Sequence, residues 1–487
     1  MNKQGGFTIA VLIIILAAIV VGGGVAGYFV FTQADKATIP PSSASTNLPL
    51  TETLISTSSP TATETPAPIT PPPVIAKPEP TPKTVPTAVP SSTLVSQSGN
   101  KKITSCNSIT GSGSYTMDKD LNVVGSGCLD IQNINDVAID CGGHSITLDQ
   151  LNQPIGTEGQ RPLLGFKNVK RFSVTSCNLK VVNPSPMSST VIFENSSNGT
   201  ISNTTFYDPS AMSSGLDIFS VTFDHTNEIT FSGNTVYGVY QQHYSSGNIV
   251  ENNIFSPTLK TLRQIQHVVS INDGNRNTIR SNTIDGRWDR SDPSLQVGAD
   301  LGIHLSDESY ATVQENKIKN TWGCSMETKG VIQSSKILRN SLTNSGTGGI
   351  CGWYYNSWKG NTISDNIVDS SPKLFYLFRL YPLRPGEIAV YFADNVFSGN
   401  KFLNPTGESA AVFSFHNSSG GEKGRSSNIP YVVSNNKFSG NDFNSAMRAP
   451  LFVPSSMAVD GGVNICGAVA EGDYPNIVDF PLRCISQ

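Results

Sequence analysis

The sequence predicts an all-β protein whose main domain is a β-solenoid of roughly 10–13 coils, on three observations. A short pattern of apolar residues and Asn recurs ten times beyond residue 170, no segment between the copies has the spacing of a long amphipathic helix, and only 14% of the chain is charged. That charge content lies well below the roughly 25% of an ordinary soluble domain, as expected when turns are built from uncharged Asn, Ser, Thr and Gly. With 33 Lys+Arg against 37 Asp+Glu the net charge is −4, so there is no basic surplus for a phosphate backbone and nucleic acid is not an expected partner.

From the N-terminus, residues 1–6 form a short leader and Phe7 to Phe31 is a run of 25 residues without a charge, after Lys3 and before Asp35. That exceeds the roughly 20 residues an α-helix needs to cross a bilayer, so residues 7–31 are expected to span the membrane. Lys3 ahead of the span favours a cytoplasmic N-terminus and export of everything beyond it to the cell surface. The segment Lys3-Gln4-Gly5-Gly6-Phe7-Thr8-Ile9 resembles the leader of type IV prepilins, which implies cleavage between Gly6 and Phe7 and a minor pilin-like component. It departs from that family at Val11, where the family has Glu, so an anchor is the expected role. Residues 32–100 follow as a disordered linker: 37 of the 62 residues from 37 to 98 are Pro, Ser or Thr, and proline removes backbone donors while holding the chain extended.

Beyond residue 100 the repeat begins. Its unit is an apolar residue, two residues, Asn, one residue and another apolar residue, as in Val313-x-x-Asn316-x-Ile318 and Ile337-x-x-Asn340-x-Leu342. The central residues are Asn234, Asn253, Asn282, Asn316, Asn340, Asn366, Asn400 and Asn436, with Thr204 and Cys177 in the same place upstream. Their separations run from 19 to 36 residues. Such a unit has no core of its own and must stack on its neighbours. The Asn is expected to sit at a sharp bend, taking the left-handed conformation itself and bonding its amide to the next Asn along a ladder. Separations of 34 and 36 residues leave loops that stand off the coils, where binding residues concentrate.

These Asn-x-Ile/Phe repeats, with the opening segments Gly113–Leu121 and Val137–Ile146, resemble the right-handed parallel β-helix, or pectin-lyase-like, superfamily, over about residues 105–445. The resemblance implies a β-helix at 101–445 with a C-terminal cap at 446–487. For function it implies either a surface protein that binds extracellular polysaccharide or mediates adhesion, or an anchored lyase or glycoside hydrolase acting on acidic glycans. No cofactor is expected, except that for a lyase of this kind the resemblance implies calcium or another cation to neutralise the uronate.

All eight Cys lie beyond residue 100, which fits an oxidising compartment, with buried free thiols as the alternative. Cys324 and Cys351 stand 16 and 15 residues before the Asn of their coils and are expected to pair; Cys466 and Cys484 are expected to clip the cap. Cys106, Cys128, Cys141 and Cys177 are left without assigned partners. No Cys/His spacing suggests a metal.

Counting back from each Asn places His267, His304 and Glu327 at offsets of 15, 12 and 13, so His304 and Glu327 are expected side by side on adjacent coils as a catalytic acid–base pair, with Glu327 raising the pKa of His304. Arg287, Trp288, Asp289 and Asp300 from the long loop, together with His267, Trp353 and Tyr354, are expected to bind substrate.

Overall fold

In a computed structural model of the protein, the residues described are 100–124, 127–149, 162–182, 190–207, 220–257, 265–291, 298–379, 390–406, 411–417, 431–443, 458–460, 464–466 and 484–485. The leader, the apolar span and all but the last residue of the linker lie outside them. The chain divides into two units, 1–85 and 86–487, and every described residue belongs to the second.

Among the described residues the secondary structure is all strand. The strands stack into three parallel sheets, two of fourteen strands and one of twelve with two more alongside. Each coil contributes one short strand to each sheet. Val313, in Thr312–Gln314, lies between Ile279 and Ile337 of the neighbouring coils in the first sheet, and Ile318, in Lys317–Thr321, lies between Ile284 and Leu342 in the second. The side chains alternate, so Val313 is buried while Thr312 and Gln314 are partly exposed. Each fully buried aliphatic or aromatic residue of these columns contributes about 1.5–3 kcal/mol. Aromatic residues run in stacks through the interior, as in Phe397 on Phe438 at a centroid separation of 4.7 Å.

Lys101–Ile103, at the expected start of the coils, pairs with Gly113–Met117, and three strands within the expected cap, Ala458–Asp460, Asn464–Cys466 and Cys484–Ile485, continue the first and second sheets. The stack is therefore longer than the repeat count suggested, because coils that lack the turn Asn carry strands all the same.

The Asn ladder closes the turns between the first and second sheets. From Asn234 through Asn253, Asn282, Asn316, Asn340 and Asn366 to Asn400, each backbone N–H and each Nδ2 donates to the Oδ1 of the next, and Nδ2 also donates to a carbonyl of the coil before. At Asn316 these bonds are 3.0 and 3.0 Å to Asn340 and 2.9 Å to the Ile279 carbonyl. Upstream, Thr204 N–H donates to Asn234 and Cys177 N–H to Thr204, so both substitutes occupy the ladder.

Two expectations are corrected here. Asn400 donates to Asn441, whereas Asn436 receives from Asn395 in a second ladder that closes the turns between the third and first sheets. Asn361, Asn395 and Asn436 form one stretch of that ladder and Asn248 and Asn277 another. Val433-x-x-Asn436-x-Phe438 and Phe438-x-x-Asn441-x-Phe443 both satisfy the pattern, and only the pairing of Phe397 with Phe438 shows which Asn precedes the first sheet. The left-handed residue is also not the Asn but the one before it: Gly233, Asn252, Ser281, Glu315, Arg339, Asp365, Gly399 and Gly440 all have φ between 50° and 66°. The bend falls outside, leaving the amide free to turn inward and bond along the stack.

The second ladder has a gap at Ala311, and a carboxyl fills it. Asn277 Nδ2 donates to Oε1 of Glu308, which is 0% exposed, while Oε2 has no hydrogen-bond partner. Burial pushes this carboxyl up to about 8, despite the Asn277 bond that opposes it. Because the folded state holds the proton more tightly than the unfolded chain, Glu308 contributes full stability near pH 4.5 and below, and that contribution is lost as pH rises towards about 8. Replacing Glu308 with Gln should therefore leave stability nearly unchanged at pH 4.5 and raise it at pH 8–9, with a difference growing by up to about 1.4 kcal/mol per pH unit between. Urea unfolding of both proteins across that range checks this; parallel pH profiles would count against a protonated Glu308.

Three disulfides are present among the described residues: Cys106–Cys128, Cys141–Cys177 and Cys324–Cys351. The last was expected from the coil offsets, and the alternative of buried free thiols is set aside for these six. The Cys466 and Cys484 strands are adjacent, with Cys484 registered on Asn464, but their side chains lie outside the described residues.

Candidate functional site

Over four coils the third sheet changes character. Its strands lengthen from four residues in Val221–Asp224 and Tyr240–His243 to eight in Ile265–Asn272 and Ala299–Ser306, ten in Cys324–Gln333 and twelve in Gly348–Lys359. Strict alternation lapses in these strands: Val268 and Val269 are both buried, and on the next coil Gly302 and Ile303 take the same positions. Glycine is required at 302: a Cβ would stand 2.4 Å from Ile318 Cγ2 and 2.6 Å from the Ser325 carbonyl.

His267 is registered on Leu301, and His304 on Ser270 and Glu327. Positions three apart on neighbouring coils nevertheless touch, and the His267 and His304 rings stack at a centroid distance of 4.2 Å and an angle of 12°. Two coils on, the same offset is bridged covalently by Cys324 and Cys351, which are registered on Gly348 and Glu327 respectively. Alternation then carries His304 and Glu327 to the same outward side, where His304 Nδ1 lies 3.1 Å from Glu327 Oε1.

This cluster is nearly sealed, with His304 4% and Glu327 8% exposed and His267 half-buried. Nδ1 of His304 has no aligned hydrogen-bond partner although Glu327 is close, so the pair is a contact between two polar groups rather than a formed hydrogen bond. Electrostatics reverse one expectation. Glu327 does not raise His304; burial dominates and, with Lys329 adding to it, holds the imidazole down at about 3. Burial and then the charges of His304 and Lys329 hold His267 well below the ordinary histidine range. Burial raises Glu327 to about 8 against the opposing charge of Lys329, and burial together with Glu327 raises Asp300 to about 7.

The other expected residues are engaged elsewhere. Arg287 has a left-handed backbone, and its Nε donates to Ser256 Oγ. Trp288 is 7% exposed with Nε1 unpartnered, beneath the Arg290 guanidinium, and Asp289 accepts from Ser291 N–H and Oγ within a turn. This loop bonds to Asn320 and Ser370 at the ends of second-sheet strands. Trp353 lies opposite Lys329 in register and Tyr354 follows it, but the side chains of both fall outside the described residues. Three neighbours were not anticipated: Lys329, two residues beyond Glu327; Tyr376, packed on the Cys324–Cys351 pair; and Lys373, whose Nζ stands 3.8 Å from the Tyr376 ring centre. The two-residue alternation after Glu327 was the available signal for Lys329.

Among the described residues, one group of His, Cys, Asp and Glu side chains has metal-ligating spacing, with the ligand atoms of His267, His304 and Glu327 all within 4.8 Å of one another. Calcium, implied for a lyase, takes six to eight oxygens, which two imidazoles and one carboxylate do not supply. The same donors, one of them an orphaned buried Nδ1, do fit a copper or zinc ion.

Comparison with known proteins finds the following likenesses. A family model described as periplasmic copper-binding protein (NosD) matches residues 167–374, which is less than half of the chain. No curated protein matches the sequence. Among solved structures, the mannuronan C-5 epimerase AlgE6 A-module of Azotobacter vinelandii is similar at 12% identity and a TM-score of 0.36, over 72% of this chain and 91% of that one. The Dettilon tailspike protein is similar at 12% identity and 0.41, over 72% and 62%, and an endo-xylogalacturonan hydrolase of Aspergillus tubingensis at 11% and 0.35, over 74% and 92%. At such identities and TM-scores these likenesses carry no argument about this chain, whose fold rests on its own strand pairing. The fold is a right-handed parallel β-helix.

Proposed function

We propose that the chain is an exported β-helix protein, anchored through residues 7–31 and carried on the linker 32–100, that binds an acidic polysaccharide along the widened third sheet. One observation carries this: the four longest strands of that sheet present a built outward cluster, with Lys329 beside it and Lys373 and Tyr376 two coils further on. A lysine on an aromatic face beside neighbouring strands offers a uronate both a cation and a ring to stack on. The family match, being to a model described as periplasmic, supports export.

A second reading, an enzyme acting on the same glycan, is favoured by the placement of His304 and Glu327 side by side on adjacent coils, two titratable groups of the kind that serve as acid and base. Adhesion without chemistry and a pilin-like role are the remaining possibilities for a displayed β-helix.

The full-length protein offered a panel of uronate-containing and neutral glycans is expected to bind the acidic members and not the neutral ones. Lys373→Ala is expected to weaken that binding about tenfold, the magnitude of one charge-assisted contact. Unsaturated-product absorbance and reducing ends, followed in the same samples, separate the readings: turnover lost in Glu327→Gln with binding retained identifies an enzyme, and binding with no turnover in the parent identifies an adhesin. No binding of any acidic glycan sinks both.

A further inference from the structure

We propose that His267, His304 and Glu327 together bind one divalent transition cation of the zinc or copper(II) class. The inference concerns side chains of the proposed glycan face but does not depend on glycan binding.

Three features of the structure support it. The ligand atoms converge: all three lie within 4.8 Å of one another, so small side-chain rotations bring them to one centre. One ligand is buried and idle, since His304 is 4% exposed and its Nδ1, facing Glu327, has no hydrogen-bond partner. A buried polar atom left in that state costs about 1–3 kcal/mol, which a bound cation offsets by accepting its lone pair. The scaffold is also rigid. The three residues stand on adjacent paired strands, and the disulfide Cys324–Cys351 ties the coil that carries Glu327 to the next one.

The donor set chooses the metal. Two imidazoles and one carboxylate suit zinc and copper(II), whereas calcium and magnesium prefer oxygen alone. Copper(II) binds the more tightly of the two by the general order of divalent affinities. Three protein ligands are one fewer than the four of a closed structural zinc site, so a fourth position would fall to water or a further ligand.

The test is calorimetric titration of tag-free, chelator-stripped full-length protein with zinc, copper(II) and calcium. One zinc or copper ion per chain, copper the tighter, and no calcium binding is the expected result. His267→Gln and Glu327→Gln are each expected to weaken zinc binding roughly 10–100-fold, while the exposed His225→Ala leaves it unchanged. Paramagnetic resonance of the copper form is expected to show coupling to two imidazole nitrogens in the parent and one in His267→Gln, a readout that a merely destabilised variant does not reproduce. Thermal melts confirm that each variant is folded. No binding of either metal, or binding unchanged in His267→Gln and Glu327→Gln, overturns the proposal. Acidic glycan bound by a sample that takes up no metal rejects this site alone, and metal bound by a sample that ignores every glycan rejects only the glycan reading.

Discussion

Replacing Asn340 with leucine is expected to lower the unfolding free energy by about 3–5 kcal/mol. The side chain is buried, and its amide takes part in four hydrogen bonds. Its Nδ2 donates to the Val313 carbonyl at 3.0 Å and to Asn366 Oδ1 at 2.9 Å, and its Oδ1 accepts from the backbone N–H and Nδ2 of Asn316, both at 3.0 Å. Leucine fills the volume but leaves the Val313 carbonyl and the Asn316 N–H without partners in a site closed to water, at about 1–3 kcal/mol each. Asn366 loses a donor as well. Asn340→Asp tests the same bonds at constant shape, since it replaces a two-hydrogen donor by an acceptor facing two acceptors. Urea unfolding checks both, with the exposed Asn122→Ala as a control expected to stay within about 0.5 kcal/mol of the parent. A loss no larger than that control shows the ladder to be a consequence of stacking and not a support for it.

The second large effect is expected at the disulfide beside the candidate site. Replacing Cys324 and Cys351 with alanine opens a loop spanning 27 residues, and the chain entropy returned to the unfolded state amounts to about 3–4 kcal/mol. Both residues are fully buried, and alanine avoids leaving an unpaired hydroxyl in their place. The double variant is expected to unfold at a correspondingly lower urea concentration under oxidising conditions. Because Cys351 is registered on Glu327, it should also weaken zinc binding if that strand shifts. Equal stability of parent and variant in the absence of reductant is the result that contradicts the argument.

The candidate site was partly legible in the sequence. Counting residues back from the ladder Asn put His304 and Glu327 on one outward face, and the register of Ala299–Ser306 against Cys324–Gln333 pairs them. The same count brought Cys324 to Cys351. It gave no warning that burial, rather than Glu327, sets the protonation of His304, because exposure depends on everything packed around the pair. Nor did it exclude Arg287, Trp288 and Asp289, whose loop turns back along second-sheet strand ends through bonds to Asn320 and Ser370. The metal-ligating set escaped motif reading for a related reason. Its three residues are separated by 37 and 23 positions, and they converge only through the register of adjacent coils and the stacking of rings three positions apart.

The second Asn ladder was present in the sequence as pairs five residues apart, Asn248 with Asn253, Asn277 with Asn282, Asn361 with Asn366, Asn395 with Asn400 and Asn436 with Asn441. A single-motif count merged the two ladders at the last coil, and so assigned Asn436 to the wrong turn.

By itself, then, the sequence determined that this chain forms an all-β stack of coils, because strand alternation and turn Asn are short-range patterns that each coil repeats. Which turn an Asn closes, which cysteines of the first coils join and which buried groups hold protons were decided only in three dimensions. Coil lengths from 19 to 41 residues make the axial neighbours of a residue a matter of register, and burial of a charge depends on all the coils that enclose it.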